Sequence, residues 1–400
     1  MNIEEIGSFD ELAHDHADRW RQIVADSTVS TIFQTWEWTD AWWRHFNKGK
    51  RLWAFRFVED GETVGYAALF LPARPSLFRT ARFVGTGISD YLDLIAAPGK
   101  EDGVAEAFGR YLDENRRRWD WIDLQEVRPG SVADRLVGAS AAIRAEPLQK
   151  GFCSYAPLAA SWPAFLSTLS KKSRESIRYY TRMVEKRHNS EFRLADAETL
   201  EADLEDLFDL HGRRWNRERA PGVLNTRAVR DFHRDVAPKL LAAGLLRMHV
   251  LSVDGKTRAV NYCFQMGSTL YGYQCGFDPE TARLGVGKVL MAHLIRHAIE
   301  ADHAAELDLM RGDEAYKQEW KALDRSNARL CLTNAALRSA AAARAVPSAL
   351  AVEQGLLTGM RQAGVRPRRL LHQIRTSVSP AAWFRRRPLG VRLEAEAGDP

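Results

Sequence analysis

Two stretches of this chain read almost alike: "VEDGETVGYAALF" (58–70) and "SVDGKTRAVNYCF" (252–264). In each, an alternating apolar run meets Asp-Gly, a Thr follows two residues later, and a second alternating run begins. Asp-Gly tolerates positive φ at successive positions, the geometry that folds one strand back on its neighbour, so both stretches predict β-hairpins. The order of elements then repeats. Strands are expected near 79–84 and 90–96, a helix at 103–117 and a strand at "WDWIDLQ" (119–125). The later hairpin is followed by "STLYGYQCGF" (268–277), a helix at 286–301 and the strand "AELDLM" (305–310), with Leu307-Asp308-Leu309 standing where Ile122-Asp123-Leu124 stands. The chain therefore reads as two copies of one hairpin–strand–helix–strand unit, an α+β class.

Helices are expected near 10–25 and 36–47, the second capped by Thr35 with Trp38, Trp42 and Trp43 on its packed face and Glu37 and Asp40 on its exposed side. Between the copies lie further helical stretches at 162–188, 198–219 and 226–243. A chain of 400 residues exceeds what one core usually serves. The expected division is 1–150 for the first unit, 151–330 for the second with its helical insertion, and 331–400 for a helical arm running into a basic tail.

Bulk properties exclude more than they assign. The net charge of +5 suits an anionic partner without choosing one. Four cysteines without a CxxC pair argue against a zinc or disulfide framework, no HExxH motif occurs, and no metal is expected. The first twenty residues carry Glu4, Glu5, Asp10, Glu11, Asp15 and Asp18 rather than a basic then apolar leader, and no apolar run is long enough to span a bilayer. These observations predict a cytoplasmic protein. "AAWFRRRPL" (381–389) in the tail could touch the inner membrane face peripherally.

Two stretches carry chemistry. In "ARLGVGKVLMAHLIRHAIE" (282–300) a glycine pair precedes a helix, where backbone amides and the helix start can hold a phosphate, with Arg283 and Lys288 adding charge. It is neither a Walker A loop nor a full dinucleotide fingerprint. In "DLMRGDEAYKQEW" (308–320) a carboxylate, Asp308, sits inside an apolar strand, which is costly unless it is hydrogen-bonded or lines a cleft. A glycine then breaks the run, and Tyr316 and Trp320 share one face of the expected helix, with Lys317 beside it. A basic stripe, Lys171, Arg174, Arg178 and Arg182, marks a third place, with Arg213, Arg214, Arg217 and Arg219 around Trp215 as a second cluster. Such charge is either a solvated face or a clamp for an anionic ligand.

The succession of hairpin, third strand, glycine-pair loop, helix and strand resembles the second half of the GNAT acyltransferase fold. "YGYQCGFDP", "GVGKVLMAHLIRHAIE" and "LDLMRGDEAYKQEW" are similar to its CelD-type branch, acetyltransferases linked to bacterial exopolysaccharide and cellulose synthesis. The ending Asp308, Gly312, Asp313, Tyr316, Lys317 and Trp320 carries the likeness, as does "FQTWEWTDAWW" (33–43). Such chains resemble the Fem-type aminoacyl transferases in holding two GNAT-like units, each a mostly antiparallel mixed sheet flanked by helices.

The resemblance implies transfer of an acyl group from acetyl-CoA or another acyl-CoA to a small-molecule or saccharide acceptor in polysaccharide or envelope synthesis, with no nucleic acid involved. The CoA pyrophosphate would lie on Gly285, Val286, Gly287 and Lys288, and Gln274, Cys275 and Gly276 would line the acyl end and supply the oxyanion donor. Tyr316 would be the acid and Asp308 the base or orienting group, with Glu314 and Asp278 as weaker choices. Lys317 joins the catalytic set without an assigned step, and Lys171, Arg174, Arg178 and Tyr273 would meet the acceptor. The chain departs from the usual loop pattern at Ala282, with Arg283 one place late, and the first copy has Glu101 and Asp102 where a phosphate would sit. Two other readings stay open: a Fem-type enzyme using aminoacyl-tRNA on peptidoglycan, and a non-catalytic GNAT-like scaffold of a synthesis or export complex.

Overall fold

The computed structural model describes residues 1–139, 144–217, 223–312, 314–336, 338–343 and 345. The first unit comprises β1 (Asn2–Ile6), α1 (Phe9–Asp15), α2 (Ala17–Asp26), α3 (Trp36–Phe46), β2 (Lys50–Glu59), β3 (Glu62–Pro72), β4 (Thr80–Phe83), β5 (Ile95–Ala96), α4 (Glu101–Glu114) and β6 (Trp121–Val127). Next come β7 (Arg144–Pro157), α5 (Trp162–Thr168) and α6 (Lys171–Arg187). The second unit follows with β8 (Ser190–Leu194), α7 (Leu200–Arg217), α8 (Arg227–Ala242), β9 (Leu246–Val253), β10 (Lys256–Met266) and β11 (Thr269–Phe277). It closes with α9 (Val286–Glu300), β12 (Glu306–Arg311), α10 (Tyr316–Glu319) and β13 (Leu323–Thr333).

Both expected hairpins form, and both turn on paired positive φ angles, 52° and 85° at Asp60-Gly61 and 51° and 71° at Asp254-Gly255. Thr35 caps α3 by accepting from the Trp38 amide. The strands join into one mixed sheet in the order β1-β2-β3-β4-β6-β13-β7-β12-β11-β10-β9-β8, with β5 against β3.

The centre of that order was not expected. Strand β7 follows the first unit but pairs with β12 of the second, while β13 follows the second unit but pairs with β6 of the first. The two exchanged strands also pair with each other, from Leu323↔Tyr155 to Thr333↔Arg144. The helix expected after Gly312 is a single turn that gives way to β13, and residues 331–333 of the expected helical arm belong to that strand. The basic tail beyond 345 lies outside the described residues.

Helices α1–α3 of the first unit and α7–α8 of the second bury one shared apolar cluster on the same face of the sheet. Trp38 is fully buried there, edge-on to Phe232 and Phe264 at centroid distances of 4.9 and 5.8 Å. Asp40, expected on the exposed side of α3, is instead buried and accepts from Arg44 and Lys239 at 2.8 and 2.9 Å, tying α3 to α8. On the opposite face α4 and α9 each cover a separate core.

Shared strands and a shared core make the two units one cooperative body. Urea unfolding followed by tryptophan fluorescence, weighted to the first unit by Trp20, Trp36, Trp38, Trp42, Trp43, Trp53, Trp119 and Trp121, should coincide with loss of amide protection in β10. Two separated transitions would contradict this.

Candidate functional site

Strands β11 and β12 run parallel for three pairs, Thr269↔Glu306, Leu270↔Leu307 and Tyr271↔Asp308, and then part. β12 stays with β7 by a one-residue bulge, pairing Asp308 with Tyr155 and next Arg311 with Cys153, and Met310 in the bulge has φ 60°. β11 stays with β10 through a register shift of its own at Tyr262/Cys263. From Gly272 to Phe277 one edge of β11 thus has no strand partner among the described residues, and a V opens beside it. Gly272, Gln274 and Cys275 are partly exposed along this edge, and Gly276 is buried against α7.

The V leads to the start of α9. Asp278, after β11, is held by Arg213 and Arg258 at 2.7 and 2.5 Å and accepts from the Glu280 amide at 3.0 Å. Gly285 has φ 62°, and a Cβ there would lie 2.7 Å from the Tyr180 ring of α6, so only glycine fits. A Cβ at Gly287 would meet Phe277 at an ordinary 3.5 Å. The first-turn amides of Val286, Gly287 and Lys288 have no carbonyl within the helix to bond, which is the donor set a phosphate needs. The Lys288 ammonium turns instead to Ser176 and Glu319, at 3.1 and 2.7 Å.

Asp308 sits at the apex of the V and is fully buried. Tyr91, from the first unit, donates to its Oδ2 at 2.5 Å, the Met310 amide donates to Oδ1 at 2.8 Å, and Arg325 of β13 approaches at 3.2 Å. Burial pushes its carboxyl up to about 6, against the opposing pull of the Tyr91 and Met310 hydrogen bonds and of Arg325. Tyr91 arrives on the loop after β4, which crosses onto the second unit. On that loop Asp90 and the Ser89 carbonyl take Arg311, the Ile88 carbonyl takes the Tyr273 hydroxyl at 2.8 Å, and Ser89 Oγ takes the Trp38 indole N–H at 2.9 Å. Arg311 also reaches Glu126 at 2.6 Å.

The equivalent acid of the first unit fares differently. Asp123 follows the same parallel register, Arg82↔Asp123, but two arginines hold it, Arg82 at 2.9 Å and Arg329 at 2.6 and 2.8 Å. Burial raises its carboxyl, yet the two guanidinium groups outweigh burial and bring it down to about 2. β6 has its own one-residue bulge, with Glu126 at φ 59°. At the head of α4, Glu101 is buried and Asp102 pairs with Arg135 at 2.8 Å.

Lys317 is almost fully buried, and its ammonium donates to the carbonyls of Met310, Arg311 and Gly312, each at 3.0 Å, with the Glu314 carboxylate also at 3.0 Å. All three of its N–H bonds are thus spent on the turn. Gly312 has φ 120°, and the Glu314 carboxylate occupies the space a Cβ would need. Tyr316 opens α10 and packs, partly buried, with Trp320 on the core under α9. Asp313 lies outside the described residues.

The structure thus groups Asp308 with Tyr273 at the V, and sets Gly285, Val286, Gly287 and Lys288 at its mouth. The basic stripe lies on α6, the helix whose Tyr180 and Ser176 meet Gly285 and Lys288. The side of α6 bearing Ile177, Tyr180 and Val184 packs on α9 and its loop, which leaves Lys171, Arg178 and Arg182 exposed on the other side and Arg174 bound to the Leu169 carbonyl. Arg219 and the side chains of Arg214, Trp215 and Arg217 lie outside the described residues. His293 and His297 stand one turn apart on α9, but His293 stacks on Phe192 and meets Glu185 at 3.3 Å. No group of three ligands able to hold a metal occurs among the described residues. Sequence reasoning missed Tyr91, Asp90 and Arg311; the signal was "GTGISDYLD" (85–93), a glycine-punctuated loop where the first copy departs from the second.

Residues 171–318 match the family model described as an acetyltransferase (GNAT) domain, so the chain carries a GNAT acyltransferase domain on a mixed sheet flanked by helices. Among solved structures it is similar to FemX, at 12% identity and a TM-score of 0.59, over 82% of this chain and 97% of that one. It is also similar to the C-terminal domain of a putative lysylphosphatidylglycerol synthetase from Agrobacterium fabrum, at 14% identity and a TM-score of 0.51, over 81% and 93% of the two chains. A conserved protein of unknown function from Bacteroides thetaiotaomicron aligns at 12% identity and a TM-score of 0.53, over 83% of this chain and 100% of its own. These likenesses show a shared fold. No curated protein sequence matches the chain.

Two outcomes follow from the buried charges. Replacing Lys317 by Met strands three carbonyls and should lower stability by about 2–4 kcal/mol, read as a lower urea midpoint. The Asp308 carboxyl, held near 6 when folded, binds its proton more tightly than in the unfolded chain, where about 3.9 is ordinary. Its contribution is therefore favourable below about pH 4 and is lost as pH rises to about 6. Asp308→Asn should flatten that part of the stability–pH curve, and an unchanged slope would contradict the assignment.

Proposed function

We propose that the chain is an acyl-CoA-dependent acyltransferase whose donor lies in the V between β11 and β12, with its pyrophosphate on the first turn of α9. The observation that carries this reading is the parting of the two strands after Tyr271 and Asp308, directly before a helix start that requires glycine at 285 and has room at 287. The donor, when bound, supplies the thioester carbonyl. The edge of β11 that has parted from β12, around Gln274–Gly276, then offers main-chain N–H groups to polarise it. Tyr316, on the one-turn helix after β12, is the group we assign to protonate the departing thiolate, and Asp308, bonded to Tyr91 at the apex, is the group we assign to take the acceptor's proton or to orient the acceptor.

The acceptor class we favour is a hydroxyl or amine on a saccharide or amine precursor of polysaccharide or envelope material, as the likeness in "DLMRGDEAYKQEW" implies. The setting we favour is cytoplasmic, with peripheral contact at the inner membrane face through the basic tail; no helix among the described residues is long and apolar enough to cross a membrane. The similarity to FemX along most of both chains favours a second reading, an aminoacyl-tRNA donor with a peptidoglycan acceptor. A non-catalytic scaffold is the third.

Calorimetric titration separates them. Acetyl-CoA should bind with micromolar affinity, and Gly287→Glu, whose Cβ would make an ordinary contact with Phe277 and whose carboxylate would compete for the first-turn amides, should weaken binding by about 10²-fold, roughly 2.7 kcal/mol. Absence of acetyl-CoA binding together with tRNA association would support the second reading, and absence of both the third.

A further inference from the structure

The first unit supplies one wall of the V, and that wall is made of pinned aromatic rings. Tyr91 and Tyr273 stand on the same face of the sheet as Asp308 and Met310, and Phe33 and Trp38 back them. The Tyr91 hydroxyl is fixed to Asp308 at 2.5 Å and the Tyr273 hydroxyl to the Ile88 carbonyl at 2.8 Å. The Phe33 ring lies 6.3 Å from Tyr91 and 6.0 Å from Tyr273, and Trp38 meets Tyr273 edge-on at 5.4 Å. The Trp38 indole is itself tied to Ser89 Oγ at 2.9 Å. On the other face the apex is closed by Leu270, Leu307 and Leu309 in the core under α9.

A phenol anchored at its hydroxyl cannot swing aside without leaving a buried acceptor unsatisfied. Packed rings at these distances also leave an alkyl chain no path except by displacing one of them. The loop that imposes this is itself shaped by Gly85 at φ 103°, where a Cβ would lie 2.6 Å from Leu92, and is fastened at its far end by Arg311 to Asp90 and Glu126.

Resting on the acyl-CoA reading above, we infer that Tyr91 and Tyr273 are the specificity-determining residues for the donor: they close the acyl end of the V and restrict it to short acyl groups. The first unit thus selects the acyl chain for a reaction housed in the second. Where a pocket is open, each added methylene should tighten binding about fourfold; here lengthening should weaken it.

The test is calorimetric titration of the full chain with acetyl-, butyryl- and octanoyl-CoA. Octanoyl-CoA should bind at least 10-fold more weakly than acetyl-CoA to the wild type. In Tyr273→Ala, and separately in Tyr91→Ala, the octanoyl-to-acetyl affinity ratio should rise at least 10-fold. Equal or tighter octanoyl-CoA binding by the wild type overturns the inference alone, and needs no variant. A ratio unchanged in a variant whose circular dichroism matches wild type also overturns it. Failure of every CoA thioester to bind overturns the donor reading together with this inference.

Discussion

The ladder between β7 and β13 is the interaction on which the rest depends. A unit that ended at β6 or at β12 would expose an open edge at the middle of the molecule, a row of unpaired amides and carbonyls. Each unit instead takes its next strand from the other's continuation, β13 beside β6 and β7 beside β12, and the two exchanged strands then pair. The ladder fixes the distance between units at a few strand spacings, about 4.8 Å each. That proximity brings the loop after β4 within reach of Asp308 and Arg311. Without the exchange, Tyr91 and Asp308 would have no reason to meet.

The two halves of the sheet share a local plan, and side chains set their two parting strands apart. Both copies end their parallel register at an aspartate, and both carry a bulge and a positive-φ residue just beyond. In the first copy the head of α4 carries its own Glu101 and Asp102, which satisfy the positive helix end that an anionic ligand would otherwise use. Two arginines keep Asp123 ionised, a structural role. In the second copy the carboxylate has one arginine, at 3.2 Å, and a phenol, and its helix begins on glycines. The same backbone therefore holds one inert and one titratable acid, and the difference lies in two or three side chains.

Elements governed by local rules were legible. The hairpins follow from Asp-Gly, α3 from its apolar period and its Thr35 cap, α9 from its apolar period after a glycine pair, and β12 from a short apolar run. β7 and β13 were not, because polar residues and turn formers interrupt their apolar alternation. Arg325 and Arg329 interrupt the alternation of β13, yet they face Asp308 and Asp123, acids whose positions no local pattern reveals. Pro147 and Gly151 weaken the strand signal of β7 in the same way. At the site, Asp308 stood out because an acid in an apolar run demands a partner. The partner, Tyr91, lies 217 residues away, beyond any periodicity.

The lysine of the ending "GDEAYK" shows how a residue can mark a site without acting in it. For β11 and β12 to part, β12 must turn away after Asp308, and it does so through two positive-φ positions, Met310 and Gly312. Such a turn swings three successive carbonyls out of the ladder and toward the interior, where each would be a costly orphan. One tetrahedral ammonium reaching back from the next helix satisfies all three, and Glu314 balances its charge. Arginine's flat fork suits that convergence poorly, and a neutral side chain cannot supply three donors. The spacing from Gly312 to Lys317 is then the length of chain needed to return to the turn, and it sets Tyr316 one residue earlier, against the core under α9. The motif reads as the brace that holds the V open, with its phenol carried along in a fixed place.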